Sequence, residues 1–282
     1  MKDLLNQAIE QAVRLYDQKV GEGDLTTETL WPYLRHTEAE IRVNETLPWF
    51  SFPILDAVMK HGDNSLTIRL NSEIQPPFSS GDTAVYLEGN GRAIVTGWRV
   101  AGSLISFLSS IQREIQKVVD ELKSNRIEVT HNLDLPGGYD KLIRYAVEEG
   151  GGISLGATLD EIIYLSLDHI AWAGSLSEAI ARTIKEVGHK RSLIKVVVEL
   201  ANPEEVTHMM DVNADMVYCK NFSIRDIQQT GELTQGWVKL MVDESIPLNK
   251  VKGLRDMGVR MYMVNVSQYF TSKELFKIQF KE

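Results

Sequence analysis

The sequence predicts an α/β protein whose C-terminal half is built on a parallel sheet. Three observations carry this: an apolar repeat at helical spacing near the N-terminus, short alternating runs between about 38 and 97, and a strand-then-helix alternation after residue 125. Residues 2–20 place Leu4, Leu5, Ala8, Ile9, Ala12, Val13, Leu15 and Tyr16 at a 3.6-residue spacing, which is an amphipathic helix. Gly21-Glu-Gly-Asp-Leu-Thr-Thr follows as a loop. The runs Ala39–Val43, Leu66–Leu70 and Thr83–Leu87 alternate between turn residues and are expected as strands. A long helix is predicted from Trp98 to about Lys123, with Leu104, Ile105, Leu108, Ile111 and Ile115 on one side.

Past residue 125 the expected strands are Arg126–Thr130, Glu161–Leu165, Leu193–Leu200, Met216–Tyr218, Gly236–Val242 and Arg260–Val264. Helices are expected between them at 140–150, 175–188, 203–211, 223–229 and 248–257. Roughly six βα units fall short of the eight of a full barrel, which leaves an incomplete barrel or an open doubly wound sheet. Either architecture puts ligands at the C-terminal ends of the strands. The last run, Leu275–Phe280, alternates and is expected to return to the first domain as a strand.

Composition narrows the function classes. A hydrophobic share of 43% and a charged share of 24% are ordinary for a globular protein. No run of about 18 apolar residues is read, so no membrane partner is expected. The start, Met-Lys-Asp-Leu-Leu-Asn-Gln, lacks the pattern of a signal peptide, and the expected address is the cytoplasm. Cys219 is the single cysteine, so no internal disulfide forms; within Met216-Val217-Tyr218-Cys219 it reads as core filling. A net charge of −9 argues against a nucleic-acid partner, which needs clustered Lys and Arg.

An ordered set of segments then carries a resemblance. These are Gly21-Glu-Gly-Asp-Leu-Thr-Thr, Gly81-Asp with Glu88-Gly-Asn-Gly-Arg-Ala, Trp98-Arg-Val-Ala and Arg144-Tyr-Ala-Val-Glu-Glu-Gly-Gly-Gly. Asp168-His169, Val196-Val-Val-Glu199, Lys220-Asn221-Phe222-Ser223 and Gly258-Val-Arg260 with Tyr269 complete it. From about residue 20 to the C-terminus the chain resembles the quinolinate phosphoribosyltransferase family, and Trp98, Arg260 and Tyr269 resemble its ModD branch. The resemblance implies an N-terminal α/β sandwich domain at 1–115, joined by about 269–282, and an open α/β barrel domain at 116–268. It also implies a homodimer whose shared site at the barrel mouth moves a ribose 5-phosphate from phosphoribosyl pyrophosphate to a pyridine nitrogen with magnesium. Arg99 would be the residue lent across the dimer.

The sequence departs from the family where cations are needed. A multiply charged phosphoribosyl donor is held by Arg and Lys forks or a bound cation. The family's Thr-Arg-Lys-Thr strand end is here Thr130-His131-Asn132-Leu133, its His-Arg pair is Leu155-Gly156, and its Lys before Asp-Asn-His is replaced in Ser166-Leu167-Asp168-His169. Residues 127–181 hold two basic side chains, Lys141 and Arg144, against nine acidic ones. The glycine-rich phosphate loop reads Asp243-Glu244-Ser245, and the first of two family glutamates is Val197, while Glu199 remains.

The substrate-binding candidates are therefore Arg99, His131, Asn132, His169, Glu199, Lys220 and Asn221, with no catalytic residue and no metal ligand assigned. Glu199 is either an acceptor for a hydroxyl or a metal-bound water, or a carboxylate satisfied by backbone donors or Lys220. His131 and His169 are either a ligand-binding or proton-transfer pair, which with Glu199 could in principle make a metal triad, or hydrogen-bonded structural histidines. Asp24 with Thr26 and Thr27 reads as a helix cap or hydrogen-bond cluster, and Trp98 as packing. His36, His61, His189 and His208 read as surface residues. Arg99, Lys220, Arg225, Lys239 and Arg260 are the cations that would rebuild an anion site if they met in one cleft. Three functions are open: a pentosyltransferase retuned to a less anionic substrate, using magnesium if a phosphoribosyl donor is used; an inactive ligand-binding, regulatory or structural homologue; or ordinary phosphoribosyl transfer with replaced contacts.

Overall fold

In a computed structural model of the chain, residues 2–30, 35–135, 137–156, 158–187, 194–209, 214–271 and 274–281 are described. His189 and the ends of predicted elements at 188, 193 and 210–211 lie outside them. In chain order the elements are α1 (Lys2–Val20), α2 (Leu25–Leu30), β1 (His36–Val43), α3 (Phe52–Gly62), β2 (Thr67–Leu70), β3 (Thr83–Asn90) and α4 (Gly91–Leu122). They continue as β4 (Glu128–His131), α5 (Asp140–Glu149), β5 (Ile162–Leu165), α6 (Leu167–Ala173), α7 (Leu176–Val187), β6 (Lys195–Glu199) and β7 (Met216–Tyr218). The last are α8 (Ile224–Thr234), β8 (Lys239–Val242), α9 (Leu248–Val251), β9 (Val259–Val264) and β10 (Phe276–Phe280).

The chain divides into two compact units: Met1–Glu114 with Leu135–Gly150 and Ser267–Glu282, and Ile115–Asp134 with Gly151–Val266. The first contains an antiparallel sheet in the order β10-β1-β3-β2. The C-terminal run does return to it as a strand, pairing Ile278 with Ile41 and Phe276 with Val43. Helix α1 buries Leu4, Ala8, Ala12 and Tyr16 and packs on α3 and α5. Two readings are corrected here. The stretch expected as successive strands contains α3, which has Pro53 in its first turn and buries Ile54, Leu55, Val58 and Met59. The loop at 21–27 contains the start of α2, because the Asp24 carboxylate accepts from Thr27 N at 3.3 Å and from Thr27 Oγ1 at 2.7 Å, which caps a short helix.

Helix α4 begins at Gly91, seven residues before the predicted start at Trp98. With its 3-10 extension to Asn125 it is long and apolar enough to cross a membrane by length and composition alone, a property missed because small Ser and Gly residues interrupt the aliphatic run. Its most apolar 18-residue window is 72% buried within the protein, as in a core helix.

The second unit holds six parallel strands in the order β4-β9-β8-β7-β6-β5. β4 and β5 stand at opposite edges, so the sheet is a curled half-barrel that does not close. Its inner face is filled by Val197, Met216, Tyr218, Met241, Met261 and Met263 with Leu155. Four methionines suit a curved interior because an unbranched, flexible side chain fills irregular space, each contributing about 1.5–3 kcal/mol when fully buried. Two details of the helical layer differ from expectation. The helix at 203–211 is a 3-10 turn over Pro203–Met209, and α6 follows β5 where no helix was read.

Candidate functional site at the strand ends

Alternation along the parallel strands decides which side chains enter the half-barrel. Tyr164 pairs in register with Val197, Glu199 with Tyr218, and Tyr218 with Met241, so Tyr164, Glu199 and Tyr218 share the inner face with the methionines. All three stand at or next to the C-terminal ends of β5, β6 and β7. Above the apolar floor they form a polar layer made of two carboxylate–phenol pairs. Tyr164 Oη donates to Glu199 Oε2 at 2.6 Å, and Tyr218 Oη donates to Asp243 Oδ2 at 2.8 Å. The two rings lie 6.4 Å apart, tilted by 44°. Burial first, and then the hydrogen bond and charge of the neighbouring carboxylate, raise both phenols well above the usual range. Both therefore remain protonated donors.

Glu199 is only 3% exposed. Its second oxygen, Oε1, meets Lys220 Nζ at 3.3 Å, and that lysine is partly open to solvent. Of the alternatives for Glu199, the structure therefore shows a carboxylate satisfied by Lys220 and a phenol. Asp243, just past β8, is held still more fully: Oδ1 accepts from Ser245 N at 3.0 Å and Oδ2 accepts from Asn221 N at 3.3 Å. Asn221 sits at φ 57°, a left-handed conformation that asparagine tolerates better than most residues, and this turns its N–H toward Asp243. Cys219 is fully buried, and burial pushes its thiol well up, so it is core filling and not a nucleophile.

The remaining candidates are placed differently. Thr130 pairs with Met263 on the inner face, so His131 faces the opposite side of the sheet. There its Nδ1 lies 2.8 Å from Asn132 O, and its Nε2 lies 2.9 Å from Ser154 Oγ. A carbonyl can only accept, so Nδ1 carries a proton. Asn132 braces two loops, accepting from Val266 N at 2.9 Å and donating to Asp134 O at 3.2 Å. His169 closes a capping box at the start of α6, with Nδ1 accepting from Ser166 N at 3.3 Å and bonded to Ser166 Oγ at 2.7 Å. The imagined triad of His131, His169 and Glu199 is not assembled, and no group of three metal-ligating side chains occurs among the described residues.

Arg99 belongs to the first unit, where its Nη1 donates to Asp24 Oδ1 at 2.6 Å. Thr96 donates to the same carboxylate at 3.2 Å. Burial alone would raise Asp24, but the Thr27 hydrogen bonds and the Arg99 guanidinium outweigh it and hold the carboxyl below its ordinary value. Asp24, Trp98, Arg99 and Phe107 line an open cavity of about 840 Å³ in that unit. Trp98 lies over Gly102, where a Cβ would come within 2.8 Å of the indole.

Two sequence-based attributions need correcting. Lys239 opens β8 and Arg260 is the second residue of β9, so both stand at the N-terminal ends of their strands, away from the polar layer. Of the nine acids counted over 127–181, Asp140, Glu148 and Glu149 belong to the first unit and Glu128 opens β4. Tyr164 and Tyr218 were not singled out from the sequence. Their signal is alternation: Tyr164 and Ser166, and Tyr218 and Lys220, are two residues apart and so share a face.

A curled six-stranded parallel half-barrel, a unit built on an antiparallel sheet, and polar groups gathered at the parallel strand ends together define the type II phosphoribosyltransferase fold. Solved structures agree. Nicotinate-nucleotide pyrophosphorylase from Ehrlichia chaffeensis is similar with a TM-score of 0.80 at 22% identity, covering 98% of each chain. NadC from Streptococcus pyogenes gives a TM-score of 0.77 at 20% identity, over 100% of this chain and 97% of that one. In sequence, a probable nicotinate-nucleotide pyrophosphorylase (carboxylating) of Bacillus subtilis is 24% identical over 259 residues, 92% of this chain and 86% of the relative. Residues 107–276 match the family described as quinolinate phosphoribosyl transferase, C-terminal domain, and the chain belongs to that family.

Proposed function

We propose that the site at the C-terminal ends of β5–β8 serves a pentosyltransferase-family protein retuned to a ligand less anionic than phosphoribosyl pyrophosphate with quinolinate. The observation that carries this reading is the Asp243 carboxylate, which accepts from Ser245 N and Asn221 N. Ser245 N is a donor of the loop on which the family resemblance puts the ribose phosphate, and here it is spent, with Asn221 N of the neighbouring loop, on an internal anion. The Lys220 ammonium faces Glu199. The layer presents carboxylates, and carboxylates recognise hydroxyl groups, amines and cationic heterocycles. Neutral nucleoside-like molecules and cationic rings are the ligands of choice.

Magnesium would arrive with a phosphoribosyl donor if one is used. The residues present do not suit a protein-held ion, because the two oxygens of Glu199 are already engaged by Tyr164 and Lys220. Membership of the ModD branch rests on Trp98, Arg260 and Tyr269. A cytoplasmic homodimer with a shared site belongs to the same reading, and a concentration-independent monomer mass in ultracentrifugation contradicts the dimer. The second reading, a ligand-binding homologue without turnover, is favoured by the same self-satisfied loop.

The test is calorimetric titration with phosphoribosyl pyrophosphate and magnesium at moderate salt, then with quinolinate added. No saturable heat and no product is the expected result. Micromolar donor binding with quinolinate turnover overturns the proposal. A neutral nucleoside that binds without product formation selects the second reading.

A further inference from the structure

We propose a second ligand site at the opposite end of the half-barrel, one that takes a small organic anion, a phosphate or carboxylate carried on an apolar body. At the N-terminal ends of β4, β8 and β9 lies a cavity of about 400 Å³, within the size range of ordinary small-molecule sites. Its cations are Lys123, Arg126, Lys239 and Arg260, its one carboxylate is Glu128, and its apolar floor includes Ile127, Val129 and Ile153. In a chain of net charge −9 this is a local inversion of sign.

Ordinary structural duties account for only part of the cluster. Lys123 Nζ is paired with Asp120 at 2.7 Å, and the nearby Glu121 is paired with Lys252 at 2.6 Å. Arg260 Nη1 donates to Arg255 O at 2.6 Å and Val259 O at 3.0 Å, which fixes the guanidinium without neutralising it. The side chains of Arg126 and Lys239 have no hydrogen-bond or ion-pair partner among the described residues, and both residues are exposed on the cavity wall. Arg126 also holds a left-handed backbone at φ 54°, uncommon for a long side chain, at the turn into β4. Two unpaired cations, a third anchored to carbonyls and one opposing carboxylate leave the cavity electropositive over an apolar base. A charged head then finds donors while its body covers Ile127, Val129 and Ile153.

The probe is phenyl phosphate, titrated calorimetrically into the whole protein, with inorganic phosphate as the head group alone. Phenyl phosphate is expected to bind with a sub-millimolar dissociation constant and at least tenfold more tightly than inorganic phosphate. Arg126→Gln with Lys239→Gln weakens it at least tenfold, whereas Glu128→Gln tightens it about twofold or more. Lys220→Gln, at the other end of the strands, leaves it unchanged. Absence of saturable binding to several millimolar, an unaltered affinity in the double variant, or loss of binding in Lys220→Gln overturns the site. The Glu128→Gln arm keeps the test decisive if the double variant folds poorly.

Discussion

Replacing Tyr164 by Phe removes one oxygen and little else, so its effect isolates the bond to Glu199. The phenol donates to Oε2 at 2.6 Å, and the carboxylate it serves is 3% exposed. A hydrogen bond to a charged group contributes about 1.5–3 kcal/mol. The ring stays, so no cavity penalty is added. Lys220 still faces the other oxygen at 3.3 Å, which keeps the loss below the roughly 3–5 kcal/mol of a fully abandoned buried charge. The expected loss is about 1.5–3 kcal/mol, a fall in melting temperature of about 3–12 °C. Urea unfolding followed by circular dichroism measures it, with Glu199→Gln and the double variant completing a cycle whose coupling is expected to exceed about 1 kcal/mol. Tyr218→Phe is the internal comparison: Asp243 keeps two backbone donors, so the same deletion there costs less. A loss under about 0.5 kcal/mol for Tyr164→Phe, or a coupling near zero, refutes the claim that this phenol holds a buried carboxylate.

Two further expectations concern other parts of the chain. Asp24→Asn keeps a helix cap but loses the charge that meets Arg99, so about 1 kcal/mol is expected to go at pH 7. Because the folded carboxyl is held below its ordinary value, the stability it supplies is complete above pH about 4 and lost as pH falls through the lower folded value. The difference between wild type and variant should therefore shrink on acidification; a constant gap down to pH 2 contradicts it. Gly231→Ala improves helix propensity by about 1 kcal/mol, but the new Cβ would lie 2.5 Å from Met257 O and 3.0 Å from Met257 Cβ. Overpacking of about 1–3 kcal/mol wins, so thermal denaturation should show a net loss, and a stabilised variant would refute the contact.

Periodicity made most of the frame legible. Leu4 to Tyr16 announced α1, the strands of the half-barrel were read within a few residues of their ends, and β10 was placed correctly against the N-terminal sheet. What failed has local causes. In α3 the apolar pairs Ile54-Leu55 and Val58-Met59 follow helical spacing, but the neighbouring alternating runs drew them into a strand reading. Helix α6 has no buried residue, and its Trp172 is 86% exposed, so there was no apolar stripe to find. Lys220 was read as a possible partner of Glu199, and the two do pair, because Glu199 ends β6 and Lys220 lies two residues past the end of the adjacent β7. His131 and Asn132 were drawn in by their place in the family pattern, whereas alternation turns His131 to the other face and Asn132 spends its amide on loops. Asp243 could be read as a charge opposed to phosphate, but its backbone donors depend on the folded loop.

The Asp243 side chain can be regarded as a competitor that never diffuses away. Tethered two residues from Ser245 N and held by the fold against Asn221 N, it acts at an effective concentration on the order of millimolar or higher. Any free anion seeking Ser245 N or Asn221 N must displace it, so the apparent affinity falls by the ratio of that concentration to the carboxylate's own dissociation constant. Removing this one side chain, as in Asp243→Gly, would remove the competitor.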